Sequence, residues 1–237
     1  MVQFDCAAFA KRESLFERFL VEFAPGERSG AHRRPLAGPA FAQICRMVLT
    51  EMNYGSASPN APKAVFLVGF MGSGKTTVGE RLAQRLAWRF VDLDEQIEQA
   101  EGRSIAEIFS QAGEAPFRSM EREYLKRILE GISRPGGWVI ALGGGTFVQA
   151  QNFDLLQRAR AITIWLECPV EELLLRCALV TNRPLFRDET SFRQLYQERL
   201  PYYRQATFMV STGQAEPNKV VNRILALAPF QGLACCT

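Results

Sequence analysis

The stretch Gly69-Phe-Met-Gly-Ser-Gly-Lys-Thr76 decides the fold of this 237-residue chain. It satisfies the phosphate-loop pattern, in which four residues separate a glycine from Gly-Lys-Ser/Thr. The apolar run before it, residues 64–68, predicts a buried strand, and residues 76–86 after it have the periodicity of a helix. Because the pattern lies between a strand and a helix, it predicts a nucleotide-binding site.

Each part of this stretch has a task at a polyphosphate. The glycines allow backbone N–H groups to surround the phosphates, and the N-terminus of the following helix adds a partial positive charge. We expect Lys75 to bridge the β- and γ-phosphates and Thr76 to ligate magnesium. The predicted nucleotide contacts from this stretch are Gly72, Ser73, Gly74, Lys75, Thr76 and Thr77.

Composition disfavours several classes of protein. The chain has 28 Lys and Arg against 25 Asp and Glu, and its net charge of +3 is too small to indicate a nucleic-acid surface. No apolar stretch approaches the roughly 18 to 20 residues of a membrane span. The six cysteines form neither a metal-binding pattern nor the framework of a small secreted domain. We therefore predict a cytoplasmic chain without nucleic-acid or membrane partners. We also expect it to be a monomer, although composition does not bear on that point.

Residues 1–60 differ in composition from the rest of the chain. Residues 11–23 place Leu and Phe at helical spacing, whereas residues 25–39 and 55–62 have the Gly and Pro content of a linker. A docking helix, a targeting segment and sequence upstream of a start at Met47 or Met52 are the alternatives, although the acidic residues disfavour targeting. We predict a poorly ordered or helical, non-catalytic extension over residues 1–60 and a nucleotide-binding domain over residues 61–237.

From residue 63 onward, strand-like runs alternate with helical segments. The runs cover residues 64–68, 89–92, 138–142, 161–166 and 208–211, and the final helix is predicted over residues 217–227. Such alternation predicts parallel strands joined by right-handed helical crossovers. The predicted fold class is therefore α/β, with a five-stranded parallel sheet flanked by helices.

Two acids and three glycines follow predicted strands at the edge where such sheets bind ligands. Asp92 and Asp94 would lie on the same side of an extended backbone, one near magnesium and one near an acceptor hydroxyl. An acid at this point is equally typical of a helix N-cap. At the end of the third strand, Gly143, Gly144 and Gly145 would let a ligand approach the backbone closely.

Taken in order, the motifs of this chain resemble those of the shikimate kinase family. They are the phosphate loop, Asp92-x-Asp94, Gly113-Glu114-x-x-Phe117-Arg118-x-x-Glu121, Gly143-Gly-Gly145, Arg183-Pro-Leu185 and Arg199-x-Pro201-x-Tyr203. The resemblance implies a phosphate-loop fold like that of nucleoside monophosphate kinases, with a mobile lid. It also implies transfer of the ATP γ-phosphoryl group to the 3-hydroxyl of shikimate, with one Mg²⁺ per subunit, in chorismate and aromatic amino acid biosynthesis.

On the acceptor side, the resemblance implies that Arg118 and Arg199 hold the substrate carboxylate, which a guanidinium binds through two parallel hydrogen bonds. Asp94 would accept hydrogen bonds from the ring hydroxyls, including the attacking one. The remaining implied contacts are a partner that orients Arg118, two side chains that wall the ring, and pocket backbone: Glu121, Phe109 and Phe117, and Gly143, Gly144 and Gly145.

On the nucleotide side, the resemblance implies that Asp92 acts through magnesium-bound water. Arg183, in the lid, would swing towards the transferring phosphoryl group and complete a catalytic set with Lys75 and Asp94. Arg176 and Pro217 would lie near the adenine. The lid segment 176–183 lacks the glycine pair usual in the family, and Ala215 stands where arginine is common. We expect these departures to alter lid closure and nucleotide affinity rather than the reaction.

Two other functions stay open. A related small-molecule kinase, such as a gluconate kinase, has less need for two arginines around a ring carboxylate. A non-catalytic, nucleotide-binding regulatory module has no need for a complete transfer apparatus of Lys75, Thr76, Asp92, Asp94 and Arg183. The sequence favours shikimate kinase over both.

Overall fold

The computed structural model of the chain describes residues 62–132, 136–178, 188–231 and 233. Two sequence predictions lie outside the described residues. One is the extension over residues 1–60, and the other is the part of the lid that carries Arg183.

Five parallel strands form the sheet. They are β1 (Ala64–Val68), β2 (Arg89–Asp92), β3 (Trp138–Ala141), β4 (Ile162–Glu167) and β5 (Phe208–Ser211), in the order β2-β3-β1-β4-β5. Each neighbouring pair is parallel. The predicted α/β fold with a five-stranded parallel sheet is therefore confirmed, and the predicted strand bounds differ from the observed ones by at most one residue.

Helices connect the strands. Among the described residues they are α1 (Lys75–Leu86), α2 (Leu93–Glu101), α3 (Ile105–Ala112), α4 (Glu114–Gly131), α5 (Ala150–Arg158), α6 (Val170–Ala178), α7 (Glu189–Tyr203) and α8 (Pro217–Leu225), followed by a 3₁₀ turn at Ala228–Phe230. The prediction that the last helix reaches residue 227 is wrong by two residues, since the backbone of Leu227 is extended, with ψ of 147°, and caps the 3₁₀ turn that follows. None of the helices in the described part of the chain is long and apolar enough to cross a bilayer.

Apolar cores cover both faces of the sheet. Along β1, Phe66 and Val68 belong to one core and Val65 and Leu67 to the other. Helices α1 and α8 cover the second core, and each of α2 to α7 contributes a buried side chain to the first. This burial on both sides explains why the central strand reads as a continuous apolar run rather than an alternating one.

The strand order brings three loops to one edge of the sheet. β1 lies between β3 and β4, and Leu67 of β1 pairs with Ala141 of β3, which in turn pairs with Asp92 of β2. The carboxyl ends of these three strands are therefore level. The phosphate loop, the acidic start of α2 and the glycine turn after β3 consequently meet at the edge where open α/β sheets bind ligands.

Candidate active site

The phosphate loop connects β1 to α1. Its glycines at 69, 72 and 74 have φ of +145°, +78° and +90°, in the region that residues with a β-carbon rarely adopt. Helix α1 begins directly after Gly74, so its first backbone N–H groups face the loop. The Nζ of Lys75 donates to the carbonyls of Gly69 and Phe70, each at 3.0 Å. The loop therefore brings amide donors and an ammonium group together, which is the arrangement that polyphosphate requires.

Ser73 supplies an additional donor inside this loop. Its side chain is 2% exposed, and its hydroxyl has no hydrogen-bond partner in the part of the chain that the structure describes. Buried hydroxyls are normally paired, so an orphaned one calls for an acceptor that the chain does not supply. A phosphate oxygen fits that requirement.

Asp92 links the end of β2 to the phosphate loop. Its Oδ2 accepts a hydrogen bond of 2.7 Å from the hydroxyl of Thr76, and its Oδ1 accepts one of 3.0 Å from the backbone N–H of Asp94. Asp92 is thereby the N-cap of α2. The sequence expectation of two acids along one extended backbone is therefore wrong, as Asp94 lies in the first turn of the helix that Asp92 caps.

The pair formed by Thr76 and Asp92 fits a magnesium ion. Mg²⁺ keeps several waters and takes one or two protein oxygens together with substrate phosphates. The described residues contain no group of three or more His, Cys, Asp or Glu side chains that could hold a metal by themselves. The donor set is thus suited to a metal that binds together with the nucleotide.

Asp94 is the acid nearest to the glycine turn. An ideal β-carbon on Gly143 would lie 2.6 Å from Oδ1 of Asp94, so the carboxylate lies directly over the turn. Burial, helped by the negative charges of Asp92 and Glu121 and opposed by Lys75, raises the pKa of Asp94 to about 6. Such a carboxylate is a strong hydrogen-bond acceptor near neutral pH and a competent proton acceptor.

Arg118 of α4 lies over the third glycine. Its guanidinium donates to Glu121 at 3.0 Å and to Glu114 at 3.1 Å, and it is stacked on Phe117, 5.2 Å from the ring centroid. A β-carbon on Gly145 would lie only 2.6 Å from Nη2 of Arg118. The predicted contact between Glu121 and Arg118 is present. The role of Arg118 in substrate binding stays a prediction. Phe109 adds a second ring, whose centroid is 4.7 Å from that of Phe117.

Arg199, on α7, contacts the middle glycine of the turn, Gly144. Its side chain is 7% exposed, its Nη1 donates to the carbonyl of Gly144 at 3.1 Å, and its guanidinium lies 5.5 Å from the Phe70 ring centroid. The hydroxyl of Tyr203 donates to the same carbonyl. Burial raises the pKa of Tyr203, so this phenol stays protonated and keeps donating at neutral pH.

The nucleotide end of the site is formed by α6 and the loop before α8. Nη1 of Arg176 donates to the carbonyl of Gly72 at 3.1 Å, and its Nη2 donates to Thr212 at 3.3 Å and to Glu172. Pro217 begins α8. A cleft of about 560 Å³ runs along this surface; its lining includes Gly72, Ser73, Gly74, Lys75, Thr76, Thr77, Asp92, Asp94, Gly144, Arg176, Ala215 and Pro217.

The structure therefore brings most of the predicted site residues to one edge of the sheet. The exception is Arg183, which lies outside the described residues. Sequence reasoning missed Thr146, whose hydroxyl donates to Glu121, and Glu172, which pairs with Arg176 and accepts the N–H of Gln214. A threonine directly after the glycine run and a glutamate four residues before an arginine were the only local signals.

The fold and this site define the class of protein. A parallel sheet with a phosphate loop after its central strand, and an acid and two arginines at the adjoining turn, is the arrangement of a phosphate-loop kinase acting on a small molecule. A family model described as shikimate kinase matches residues 71–228. The chain belongs to the shikimate kinase family.

Similar proteins cover nearly all of this region. A shikimate kinase from Synechococcus sp. (strain CC9605) is 43% identical over 171 residues, which are 70% of this chain and 83% of that protein. One from Persephonella marina is 38% identical over 162 residues, 68% of this chain and 96% of that protein.

Solved structures agree with the fold. A shikimate kinase from Acinetobacter baumannii in complex with shikimate has a TM-score of 0.65 and 38% identity, over 70% of this chain and 92% of that one. The Aquifex aeolicus shikimate kinase has a TM-score of 0.60 and 36% identity, over 68% of this chain and 94% of that one. These matches confirm the predicted fold class and the predicted family.

Proposed function

We propose that this protein transfers the γ-phosphoryl group of ATP to the 3-hydroxyl of shikimate, giving 3-phosphoshikimate and ADP. Family membership supports this reaction and its place in aromatic amino acid biosynthesis. One geometric observation carries it. The three consecutive glycines after β3 are approached by Asp94 at Gly143, Arg199 at Gly144 and Arg118 at Gly145.

This arrangement suits an acceptor that carries both a carboxylate and hydroxyl groups. Arg118 and Arg199 are two cations at the turn, and Asp94 is a hydrogen-bond acceptor at its start. Arg118 now pairs with Glu114, whose side chain is 63% exposed, and with Glu121, whose side chain is 1% exposed. A substrate carboxylate can displace the solvated Glu114 at little cost, while the buried Glu121 keeps the guanidinium in place.

Asp94 would orient the attacking hydroxyl. Phosphoryl transfer passes through a loose transition state, so the hydroxyl proton leaves late and positioning matters more than early deprotonation. The carboxylate accepts the hydrogen bond of the hydroxyl and then takes its proton as the new O–P bond forms. Asp94 is therefore an orienting group first and a general base second.

The phosphate loop would hold the nucleotide. Backbone N–H groups at the start of α1 and the orphaned hydroxyl of Ser73 supply donors to the phosphates. Lys75 adds a positive charge next to the loop carbonyls and would bridge the β- and γ-phosphates. Arg183 would add a further positive charge from the lid, and that assignment rests on the sequence.

Thr76 and Asp92 would hold Mg²⁺ that arrives with ATP. The ion supplies charge neutralisation at the β- and γ-phosphates when it is bound. The nucleotide base would lie near Arg176 and Pro217, which line the same cleft as Asp94.

We also propose that the enzyme is a cytoplasmic monomer. Three large apolar side chains are exposed among the described residues, and Leu175, Tyr202 and Met209 lie on three different elements. Three exposed side chains of this kind are few against the apolar area of an obligate subunit interface, which favours a monomer. The two cysteines of the described residues, Cys168 and Cys177, are free and buried, which fits a reducing compartment.

We propose in addition that the chain consists of an extension over residues 1–60 and a kinase domain over residues 61–237.

Acceptor-dependent ADP release tests the proposed reaction. The 237-residue chain is mixed with ATP and Mg²⁺, and ADP is followed by a coupled assay with shikimate, with gluconate or with neither. We expect turnover that depends on shikimate, and phosphorus NMR of the product should show a phosphate ester at the 3-hydroxyl. Turnover with gluconate but not with shikimate would replace this proposal by the related kinase. No acceptor-dependent turnover would leave a nucleotide-binding module.

A further inference from the structure

Glu121 is a buried carboxylate whose two oxygens have different partners. Its side chain is 1% exposed, its Oε2 accepts from Arg118 at 3.0 Å, and its Oε1 accepts from the hydroxyl of Thr146. A carboxylate that is removed from water requires donors at both oxygens, because each unpaired oxygen carries a large desolvation penalty. Thr146 is thus the second donor that holds the Glu121 carboxylate in place.

Thr146 itself is fixed from two directions. It is fully buried, its backbone N–H donates to the carbonyl of Gly143 at 3.1 Å, and its carbonyl accepts from Nδ2 of Asn152 at 3.1 Å. These bonds tie it to the glycine turn on one side and to α5 on the other. The hydroxyl therefore has a rigid base from which to hold a carboxylate on α4.

The contacts form a chain that ends at the acceptor site. Glu121 cannot rotate about its terminal bond without losing one of its two partners, so the Thr146 hydroxyl sets the direction of the oxygen that binds Arg118. The other carboxylate partner of Arg118, Glu114, is largely in water and restrains the guanidinium weakly. The orientation of the Arg118 guanidinium therefore depends on Thr146, which acts through Glu121.

We infer that Thr146 is a positioning residue for the substrate carboxylate, an inference that rests on the proposed phosphorylation of shikimate. Its hydroxyl holds Glu121, Glu121 holds Arg118, and Arg118 binds the carboxylate. A β-carbon at Gly143 would lie within 2.9 Å of the Thr146 hydroxyl and 3.1 Å of Oε1 of Glu121, so this link runs directly beside Asp94. Thr146 therefore links the glycine turn at Gly143 to Arg118, the residue that binds the substrate carboxylate, and does so without contacting the substrate itself.

Two substitutions of Thr146 distinguish a positioning role of its hydroxyl from a packing role of its side chain. One keeps the shape of the side chain and the other keeps its hydroxyl. Thr146→Val keeps the volume and removes the hydroxyl, whereas Thr146→Ser keeps the hydroxyl and removes a methyl group. We expect Val to raise the KM for shikimate about ten-fold, the usual effect of leaving a charged partner short of one hydrogen bond. The KM for ATP should stay within about two-fold, and Ser should restore the shikimate KM to near wild type. Isothermal titration of shikimate into each variant provides the same comparison without turnover.

A double-mutant cycle with Glu121→Gln identifies the route. If Thr146 acts through Glu121, Thr146→Val should change the shikimate KM much less in the Glu121→Gln background than in wild type. Equal effects in both backgrounds would overturn the inference, as would a Val variant with an unchanged shikimate KM. Thr146→Ala, which avoids a branched side chain in the buried site, serves the same comparison if Val fails to fold by circular dichroism.

The wild-type chain separates the two hypotheses. Shikimate-dependent turnover by wild type with unaltered kinetics for both hydroxyl-deleting variants rejects the role of Thr146 and leaves the proposed reaction intact. Absence of shikimate-dependent turnover by wild type rejects the proposed reaction and, with it, the role of Thr146.

Discussion

The guanidinium of Arg118 fills the space in which a side chain at residue 145 would begin. An ideal β-carbon on Gly145 would lie 2.6 Å from Nη2 and 2.7 Å from Nη1 of Arg118. Gly145 has no positive φ, so its backbone does not itself demand glycine. The absence of a side chain at residue 145 is what lets the helix α4 arginine reach the turn after β3.

Gly145→Ala should therefore act on substrate binding rather than on folding. The added methyl group forces Arg118 away from the turn, and displacement of a binding group by about 1 Å costs on the order of ten- to hundred-fold in efficiency. We expect a raised shikimate KM and a lowered kcat with an unchanged KM for ATP, measured by initial rates with one substrate varied at a time.

Gly131→Ala is the matched control for this substitution. Gly131 ends the same helix that carries Arg118, and a β-carbon there would meet nothing within 4 Å. Its kinetics should equal those of wild type. A Gly145→Ala enzyme with a normal shikimate KM would remove Arg118 from the acceptor site.

Asp94→Asn tests the orienting acid. The amide keeps the shape but cannot accept the hydroxyl proton, so we expect kcat to fall by at least about 100-fold. ATP binding should persist, because the substitution keeps the backbone N–H through which Asp94 contacts Asp92, the partner of Thr76. Equilibrium binding of a fluorescent ATP analogue, compared with turnover, provides the measurement. Near-normal turnover by a pure, folded Asp94→Asn enzyme is the result that contradicts the assignment.

The raised pKa of Asp94 predicts an acid limb in the pH profile. Burial is the main cause that raises this pKa from 3.8 to about 6, and the form that accepts the hydroxyl is the deprotonated one. The kcat/KM for shikimate should therefore fall about ten-fold per pH unit below about pH 6. A profile of kcat/KM at saturating ATP measures this limb. A flat profile down to about pH 5 would show that Asp94 does not titrate in this range.

The raised pKa of Asp94 also predicts how the free energy of unfolding changes with pH. Since the folded chain binds this proton more tightly than the unfolded chain, Asp94 favours folding at low pH, and that contribution is lost as the pH rises through about 6. Asp94→Asn should therefore unfold at a higher denaturant concentration than wild type at pH 8, and the difference should shrink towards about pH 4. This opposition between stability and activity is the expected property of a buried catalytic carboxylate.

The fold was predictable because its signals are local. The three central strands, β3, β1 and β4, are mostly apolar runs, and the glycines and lysine of the phosphate loop lie within eight consecutive residues. Asp94 shows where local reasoning ends. The acid spacing suggested an extended pair, but the side chain of Asp92 accepts the N–H of Asp94 and starts a helix there. Capping by one residue thus decided the conformation of the next two.

The missed residues share a different cause. Thr146 pairs with a residue 25 positions away, and Glu172 accepts the N–H of a residue 42 positions away. Neither contact leaves a periodic pattern, since each joins a helix to a loop that the sheet order brings beside it. Such supporting contacts become visible only once the packing is known, whereas the groups that they support can be found by motif.

Glu172→Gln tests the support of the nucleotide end. The Glu172 carboxylate pairs with Arg176 and accepts the N–H of Gln214 at 2.9 Å, so it ties α6 to the loop before α8. Loss of its charge weakens both contacts, and we expect the KM for ATP to rise about three- to ten-fold while the KM for shikimate stays constant. Glu171→Gln is the control, because Glu171 is 68% exposed and pairs with Arg193 on α7 instead. Initial rates with ATP varied at saturating shikimate distinguish the two variants, and equal ATP KM values would show that Glu172 does not shape the base site.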